Sequence, residues 1–268
     1  MTGLMPRTEG AELRVMSSNI LFDKSLPERL PLIADYYRSS DADVIGMQEV
    51  NNVGTELYGM LSDIYTPATT AHPDGKHCFS PIIYRHDRFD VVEAGSELHR
   101  KRATDTKSLA WVVLQHKETG KQFAVINTHS AIILPFHKLV ERNEYEGEQW
   151  RTDNVYQMLA KRDELRVRYG AKLPIFMTGD FNALPTGASI ATVKMFLRDS
   201  AEIATLSAVR TVNSYHGVPG RPCGEGGAID FVFVSDDAIE VLTHNVPHDE
   251  RAIAISDHCP VYADVRLK

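Results

Sequence analysis

The chain has 268 residues, is 43% hydrophobic and 24% charged, and carries a formal net charge of −7. That is the composition of an ordinary globular domain, and its acidic balance excludes a broad basic surface of the kind that gathers nucleic-acid backbones from a distance. The cysteines Cys78, Cys223 and Cys259 form no Cys-x-x-Cys pair and suggest neither a disulfide framework nor a zinc site, and no apolar run approaches the roughly 18 residues that span a bilayer, so a reducing, cytoplasmic setting is expected.

Residues 1–12 lack a signal-like apolar core and read as a short flexible leader to a single domain over 13–268. Residues 14–21 (RVMSSNIL) alternate as a strand does. Residues 26–39 then place Leu30, Ile33, Ala34 and Tyr37 at helical spacing behind Pro27. A second strand, 43–50 (DVIGMQEV), ends in Gln48 and Glu49, and 55–61 reads as a helix. The segments 80–85, 89–98, 109–117 and 122–130 are successive strands separated by turn residues. Directly after them, 131–150 is apolar and contains a histidine, and it reads as a lid or specificity loop or as a helix over the sheet edge. Residues 149–169, free of Pro and Gly, form an amphipathic helix. The strand 173–180 runs into IFMTGDFNALP, 187–197 is helical, and 228–235, 238–246 and 259–267 are strands. Strand runs with helices before and after them suit an α/β fold of two packed mixed sheets with helices outside, a four-layer α/β/β/α sandwich.

The recurring oddity is a strand that finishes or begins in acid, amide or imidazole. Asn19, Glu49 and His129 end strands, Asp180 and Asn182 follow IFMTG, Asp230 begins DFVFVS, and Asp257 and His258 precede the last strand. One such residue is ordinarily a turn or a helix cap. Strand ends at one edge of a sandwich, however, converge in space while remaining far apart in sequence. Carboxylates and amides without a cysteine cluster are hard oxygen ligands suited to Mg²⁺, with Mn²⁺ as the alternative. If GDFN is extended, Asp180 and Asn182 share a face and Phe181 points into the core; the other reading of GDFN is an Asx-type turn.

Taken in order, SSNIL, QEV, INTHS, TGDFNALP, AIDFVFVS and SDHCPV cover almost the whole chain, and the set resembles the endonuclease/exonuclease/phosphatase superfamily, the exonuclease III-like or DNase-like hydrolases. The resemblance implies the DNase-like sandwich and, residue by residue, a division of labour. Glu49 is the principal metal ligand, with Asn19 and Asp257 around the ion. Asp180 holds or deprotonates the attacking water, which Asn182 orients. Asp230 accepts from one nitrogen of His258 and leaves the other for the phosphate, where His129 is the second histidine. Tyr84 occupies a position that touches the phosphate in many relatives, and SYHGVPG resembles an element that places His216 on the rim of the site. Two departures stand out: Asn19-Ile20-Leu21 lacks a second carboxylate unless Asp23 substitutes, and Ser130 follows His129.

The resulting expectation is a Mg²⁺-dependent phosphohydrolase acting on a small phosphorylated metabolite, a phosphosugar or a lipid headgroup. The alternative within the same superfamily is a nuclease or deadenylase, a phosphodiesterase on DNA or RNA, which needs a basic groove and stacking aromatics. A non-catalytic binding protein on this fold is expected to have lost Glu49, Asp180 or His258, and all three are present. Arg85 and Arg100 to Arg102 either reach an anionic substrate or form a solvated patch.

Overall fold

Nearly every long strand of this chain is buried on both faces, so each sheet must be covered twice. In the computed structural model, which describes residues 3–50, 54–68, 78–102, 104–132, 144–208, 213–223 and 227–268, two sheets stack face to face with helices outside them. The first half of the chain supplies β1 (Leu13–Asn19), α1 (Leu26–Ser40), β2 (Val44–Gln48), α2 (Gly54–Leu61), β3 (Tyr65–Pro67), β4 (Ile82–Arg85), β5 (Phe89–Leu98), β6 (Ser108–His116) and β7 (Gln122–His129). The second half supplies α3 (Glu144–Tyr169), β8 (Ile175–Asp180), α4 (Ala188–Lys194), β9 (Arg198–Asp199), α5 (Ser200–Ile203), β10 (Ser207–Ala208), β11 (Asp230–Val234), β12 (Ile239–Asn245), α6 (Glu250–Ala254) and β13 (Val261–Leu267). One sheet has seven strands in the order β10-β12-β13-β1-β2-β4-β3, and the other has six in the order β5-β6-β7-β8-β11-β9. Both are mixed, with β1 parallel to β2 and β7 parallel to β8 among antiparallel neighbours.

The two-residue period of the strands sorts their side chains into three apolar layers. Val15, Val44, Val112, Val125, Phe176 and Val232 meet between the sheets. Their neighbours in sequence turn the other way: Met16 and Ile45 pack under α1 and α2, and Val113, Ile126, Met177 and Phe233 pack under α3 and α4. On α1, Leu26, Leu30, Ile33 and Tyr37 recur at helical spacing and are all buried in that outer layer. Each such side chain contributes about 1.5–3 kcal/mol by leaving water.

A polar seam runs through the inter-sheet layer toward one edge. Asn127 Nδ2 donates to Met47 O (2.7 Å) and Ser80 O (3.0 Å), while its oxygen accepts from Gln48 Nε2 (2.8 Å) and Thr178 Oγ1 (3.0 Å). A Cβ at Gly46 would overlap Thr178 and Asn127, so this close approach of the sheets requires glycine there.

Some expectations change. Residues 3–12, read as part of a flexible leader, are tied to the sandwich: Arg7 pairs with Asp43 (2.8 Å), Thr8 N donates to Asp264 (2.8 Å), and Met5 N donates to the Tyr262 hydroxyl (3.2 Å). The helix read from residue 149 begins at Glu144, so the end of the 131–150 stretch belongs to α3, while 133–143 lie outside the described residues. The short β3, β9, β10, α5 and α6 have no periodicity that sequence could display.

Candidate active site

Strand register brings the polar ends together. Asn19 lies opposite Gln48 across the parallel β1–β2 pair, which places Glu49 beside it. His129 lies opposite Asp180 across β7–β8, and Asp230 lies opposite Asp180 on the other side of β8. His258 enters just ahead of β13, bridged to Tyr215. Three residues at this edge hold a left-handed backbone, Leu21 at φ 54°, Glu49 at φ 62° and Asn182 at φ 50°, a conformation in which side-chain-bearing residues are uncommon and which concentrates at functional sites.

The GDFN stretch is therefore a strand end and a turn at once. Asp180 Oδ1 accepts from Asn182 N at 2.9 Å in an Asx-type turn, so Asp180 and Asn182 are not related by an extended backbone. Asn182 Nδ2 donates to Ser130 O at 3.1 Å. Between them Phe181 is buried, edge-on to Phe231 and Phe233 at ring separations of 5.6 and 5.3 Å, and it anchors the turn from below.

Asp180 is the hub. Its Oδ2 lies 3.1 Å from Asn19 Nδ2, 3.3 Å from His129 Nε2 and 4.0 Å from His258 Nε2. Burial acts to raise its pKa, but the His129 hydrogen bond and the charges of His129, His258 and Lys107 outweigh it, holding the carboxyl well below the usual carboxylate range. Glu49 follows the same logic: burial acts to raise it, but His129, the Phe22 amide at 2.8 Å, Lys107 and Asn19 lower it. The His258 Nδ1–H donates to Asp230 Oδ2 at 2.8 Å. Burial works against the imidazolium, yet Asp230, Asp180 and Asp257 together push His258 up to about 10. His258 thus sits between Asp230 and Asp180 as an imidazolium whose ring nitrogens donate and do not ligate.

These residues open on a cavity of about 490 Å³. Glu49, His129, Asp180, Asn182, Asp257 and His258 line it, and Phe22, Phe79, Ile132, Tyr215 and Ile229 form its apolar walls. Asn19 stands behind Glu49 and Asp180. Its Nδ2 reaches Glu49 Oε1 at 3.3 Å and its oxygen accepts from Leu21 N at 2.9 Å, so as placed it orients the carboxylates.

Two residues expected at the site are not brought to it. Tyr84 sits on β4 in the layer between the sheets, where the register pairs it with Val44 at the start of β2, away from the end that leads into Glu49. His216 is buried beside the cavity lining, with Nδ1 donating to Val218 O at 3.0 Å. Arg85 is spent on Asp41 (3.0 Å) and Asp87 (2.8 Å), and Arg102 on Asp105 (3.0 Å).

Lys107 enters the site unannounced. It contacts His129 Nε2, and burial pulls its pKa down to about 8 against the attraction of Asp180 and Glu49. The available signal was the hairpin: β6 is antiparallel to β7 with Leu109 opposite Thr128, so the residue before β6 lies beside the end of β7. Thr104 and Thr106 arrive by the same route.

The donor set fits a hard divalent cation. Glu49 and Asp257 present carboxylates to the cavity, and Asp257 is raised by burial and by the like charge of Glu49, a repulsion that a cation between them relieves.

Replacing Asp230 with Asn is expected to lower the His258 pKa sharply, because the leading attraction is removed while burial remains. In the native protein the raised pKa contributes stability that is fully present below about 6.5 and is lost as pH climbs through about 10. Titration of the His258 ring followed by NMR should therefore show its midpoint moving down by more than one pH unit in D230N, and an unmoved midpoint would contradict the pairing of His258 with Asp230 as the source of its raised pKa.

A sequence profile of the Endonuclease/Exonuclease/phosphatase family matches residues 16–258. No sequence match was found among curated proteins. Among solved structures, an endonuclease/exonuclease/phosphatase from Bacteroides vulgatus superposes with a TM-score of 0.80 at 22% identity, covering 96% of this chain and 99% of that one. A mannosyl-6-phosphatase from Bacteroides thetaiotaomicron gives 0.76 at 24% identity, covering 95% and 100%. The human Nocturnin catalytic domain, with bound sulfate, gives 0.69 at 21% identity, covering 96% and 94%.

Proposed function

Because the chain belongs to the endonuclease/exonuclease/phosphatase family, whose members are phosphoesterases, we propose that it is a Mg²⁺-dependent phosphohydrolase acting on a small phosphoester. Water attacks in line, and phosphosugars and phosphorylated headgroups are the first candidate substrates. The observation that carries this reading is the convergence of the ionised Asp180 with His129, His258 and Lys107 on one cavity. Asp180 holds the attacking water and takes its proton. Asn182, its nitrogen committed to Ser130, accepts from the same water through its oxygen. His258 Nε2–H and the Lys107 ammonium donate to non-bridging phosphoryl oxygens, where charge is concentrated during transfer, and His129 lies between Lys107 and Asp180 as the second phosphate-facing imidazole. A divalent cation bound by Glu49 and Asp257 would supply Lewis-acid neutralisation of a phosphoryl oxygen.

The size and lining of the cavity favour a small substrate over a polynucleotide. Lys107 is the single Lys or Arg among its described lining residues, whereas a nucleic-acid strand needs a basic track in addition to stacking aromatics such as Phe22, Phe79 and Tyr215. Trp111, one candidate platform, instead packs under Lys161 at 3.8 Å. The test is a side-by-side rate comparison in Mg²⁺ and in Mn²⁺ with p-nitrophenyl phosphate, bis-p-nitrophenyl phosphate, phosphosugars, phosphorylated lipid headgroups and single-stranded DNA. Cleavage of the small esters with chelator-sensitive turnover is expected. Exclusive cleavage of DNA overturns the assignment in favour of a nuclease.

A further inference from the structure

Behind the cavity, on the far side of His258, three side chains left out of the reaction meet. One nitrogen of the His216 ring and the Cys223 and Cys259 sulfurs lie within 4.8 Å of one another. The sulfurs are 2.7 Å apart, and both cysteines are free. His216 is 2% exposed; its Nδ1 is fixed by Val218 O, which leaves Nε2 buried and without a hydrogen-bond partner. An imidazole that donates one N–H to a backbone carbonyl and keeps the other nitrogen as a bare lone pair is the arrangement in which histidine ligates metal. Two thiols beside it convert a hard-ligand preference into a soft or borderline one.

We propose that His216, Cys223 and Cys259 form a second metal site, separate from the hard-cation site at Glu49, that takes a thiophilic divalent cation of the Zn²⁺ type. Two thiolates and one imidazole supply three of its four tetrahedral ligands once the sulfurs, 2.7 Å apart, separate by about 1 Å to span an ion at a Zn–S distance of about 2.3 Å, and each thiol releases its proton to solvent as the ion binds. Cys223 is the half-exposed member of the three, and water reaching it would supply the fourth ligand.

The placement gives the ion a structural task. The segment 213–223 carries Tyr215 into the cavity wall and runs alongside the residues that hold the reaction: His216 N donates to Asp257 O at 2.8 Å and Cys259 N to Ser214 O at 2.6 Å. Cys259 follows His258 directly in sequence. A bound cation would cross-link this segment to the start of β13 and fix both Tyr215 and His258 from behind. Sequence spacing concealed the cluster because Cys223 and Cys259 stand 36 positions apart, and their proximity comes from packing alone.

The test uses the full chain, reduced with a phosphine and stripped with a chelator, then titrated with Co²⁺ in excess Mg²⁺ so that the hard site is filled. One Co²⁺ per chain with a thiolate-to-cobalt charge-transfer absorption is expected, displaced by Zn²⁺. Glu49→Gln should keep the absorption and Cys223→Ser should lose it. Zn²⁺ should raise the thermal midpoint of the wild type and leave that of Cys223→Ser unmoved. Should Cys223→Ser fail to fold, His216→Gln, with both thiols intact, should weaken Zn²⁺ binding by more than the roughly 10–100-fold that losing an outer partner costs. Absence of the charge-transfer absorption in the wild type overturns the site, as does recovery of a Cys223–Cys259 disulfide with no metal uptake after reduction. None of these readouts depends on which phosphoester the protein cleaves.

Discussion

Asp180→Asn is expected to reduce kcat by about 10³-fold or more while leaving the folded state in place. Loss of a positioned general base costs typically 10²–10⁴-fold, and here the same carboxylate also organises its neighbours. Asn19 Nδ2, His129 and His258 all face Asp180 Oδ2, at 3.1, 3.3 and 4.0 Å. An amide of the same shape can still accept from Asn182 N through its oxygen, so the Asx turn over Phe181 survives. What disappears is the negative charge that balances His258 and Lys107, and with it the acceptor proposed for the water proton. Steady-state kinetics on a small phosphoester, paired with a thermal melt, separates the two effects. A variant that melts like the wild type and turns over within about tenfold of it would remove Asp180 from the chemistry.

How far this site could be read in sequence depends on which strand end carried the residue. Glu49 follows β2 directly, and His129 and Asp180 close β7 and β8, three strands whose apolar runs are unmistakable, and the ordered motifs assigned them roles. The layers were legible for the same reason: Val15 and Met16, or Val125 and Ile126, alternate between inner and outer cores as a period of two requires. Lys107 was missed because it stands just before a strand, and only the pairing of β6 with β7 turns a residue ahead of one strand into a neighbour of the residue that closes the other. Tyr84 was misplaced because the position of a residue along β4 relative to the site is fixed only by register, which sets Tyr84 opposite Val44 at the end of β2 away from Glu49. The turn at Asn182 was legible as an alternative to a site residue. The left-handed backbone shows that the two readings do not compete, because the turn aims Asn182 into the cavity.

Gly179→Ala, next to the hub and at the one glycine of β7, β8 and β11, is expected to cost a large share of the protein's stability. Gly179 is at φ +151°, a region that residues with a Cβ rarely adopt. A Cβ built there overlaps Thr128 O and comes 2.6 Å from Thr128 Cγ2. The offending atom belongs to the backbone of β7, where Thr128 is the register partner of Gly179, and β11 blocks the other side through Phe231. The Thr128 side chain is itself held, its hydroxyl 2.8 Å from His99 Nε2. Relief therefore requires β7 and β8 to separate at the point where they deliver His129 and Asp180. Overpacking costs about 1–3 kcal/mol and a forced backbone conformation about as much again, so a loss on the order of 3–5 kcal/mol is expected, a large share of the 5–15 kcal/mol that holds a domain folded. Denaturant unfolding measures it directly. The surviving folded fraction should also show a reduced kcat, because widening the 3.3 Å His129–Asp180 contact loosens the group that places the water. A loss below about 1 kcal/mol with unaltered turnover would mean that the two strands yield at this point, and that the rigidity assigned to this edge of the sandwich is not what holds the site together.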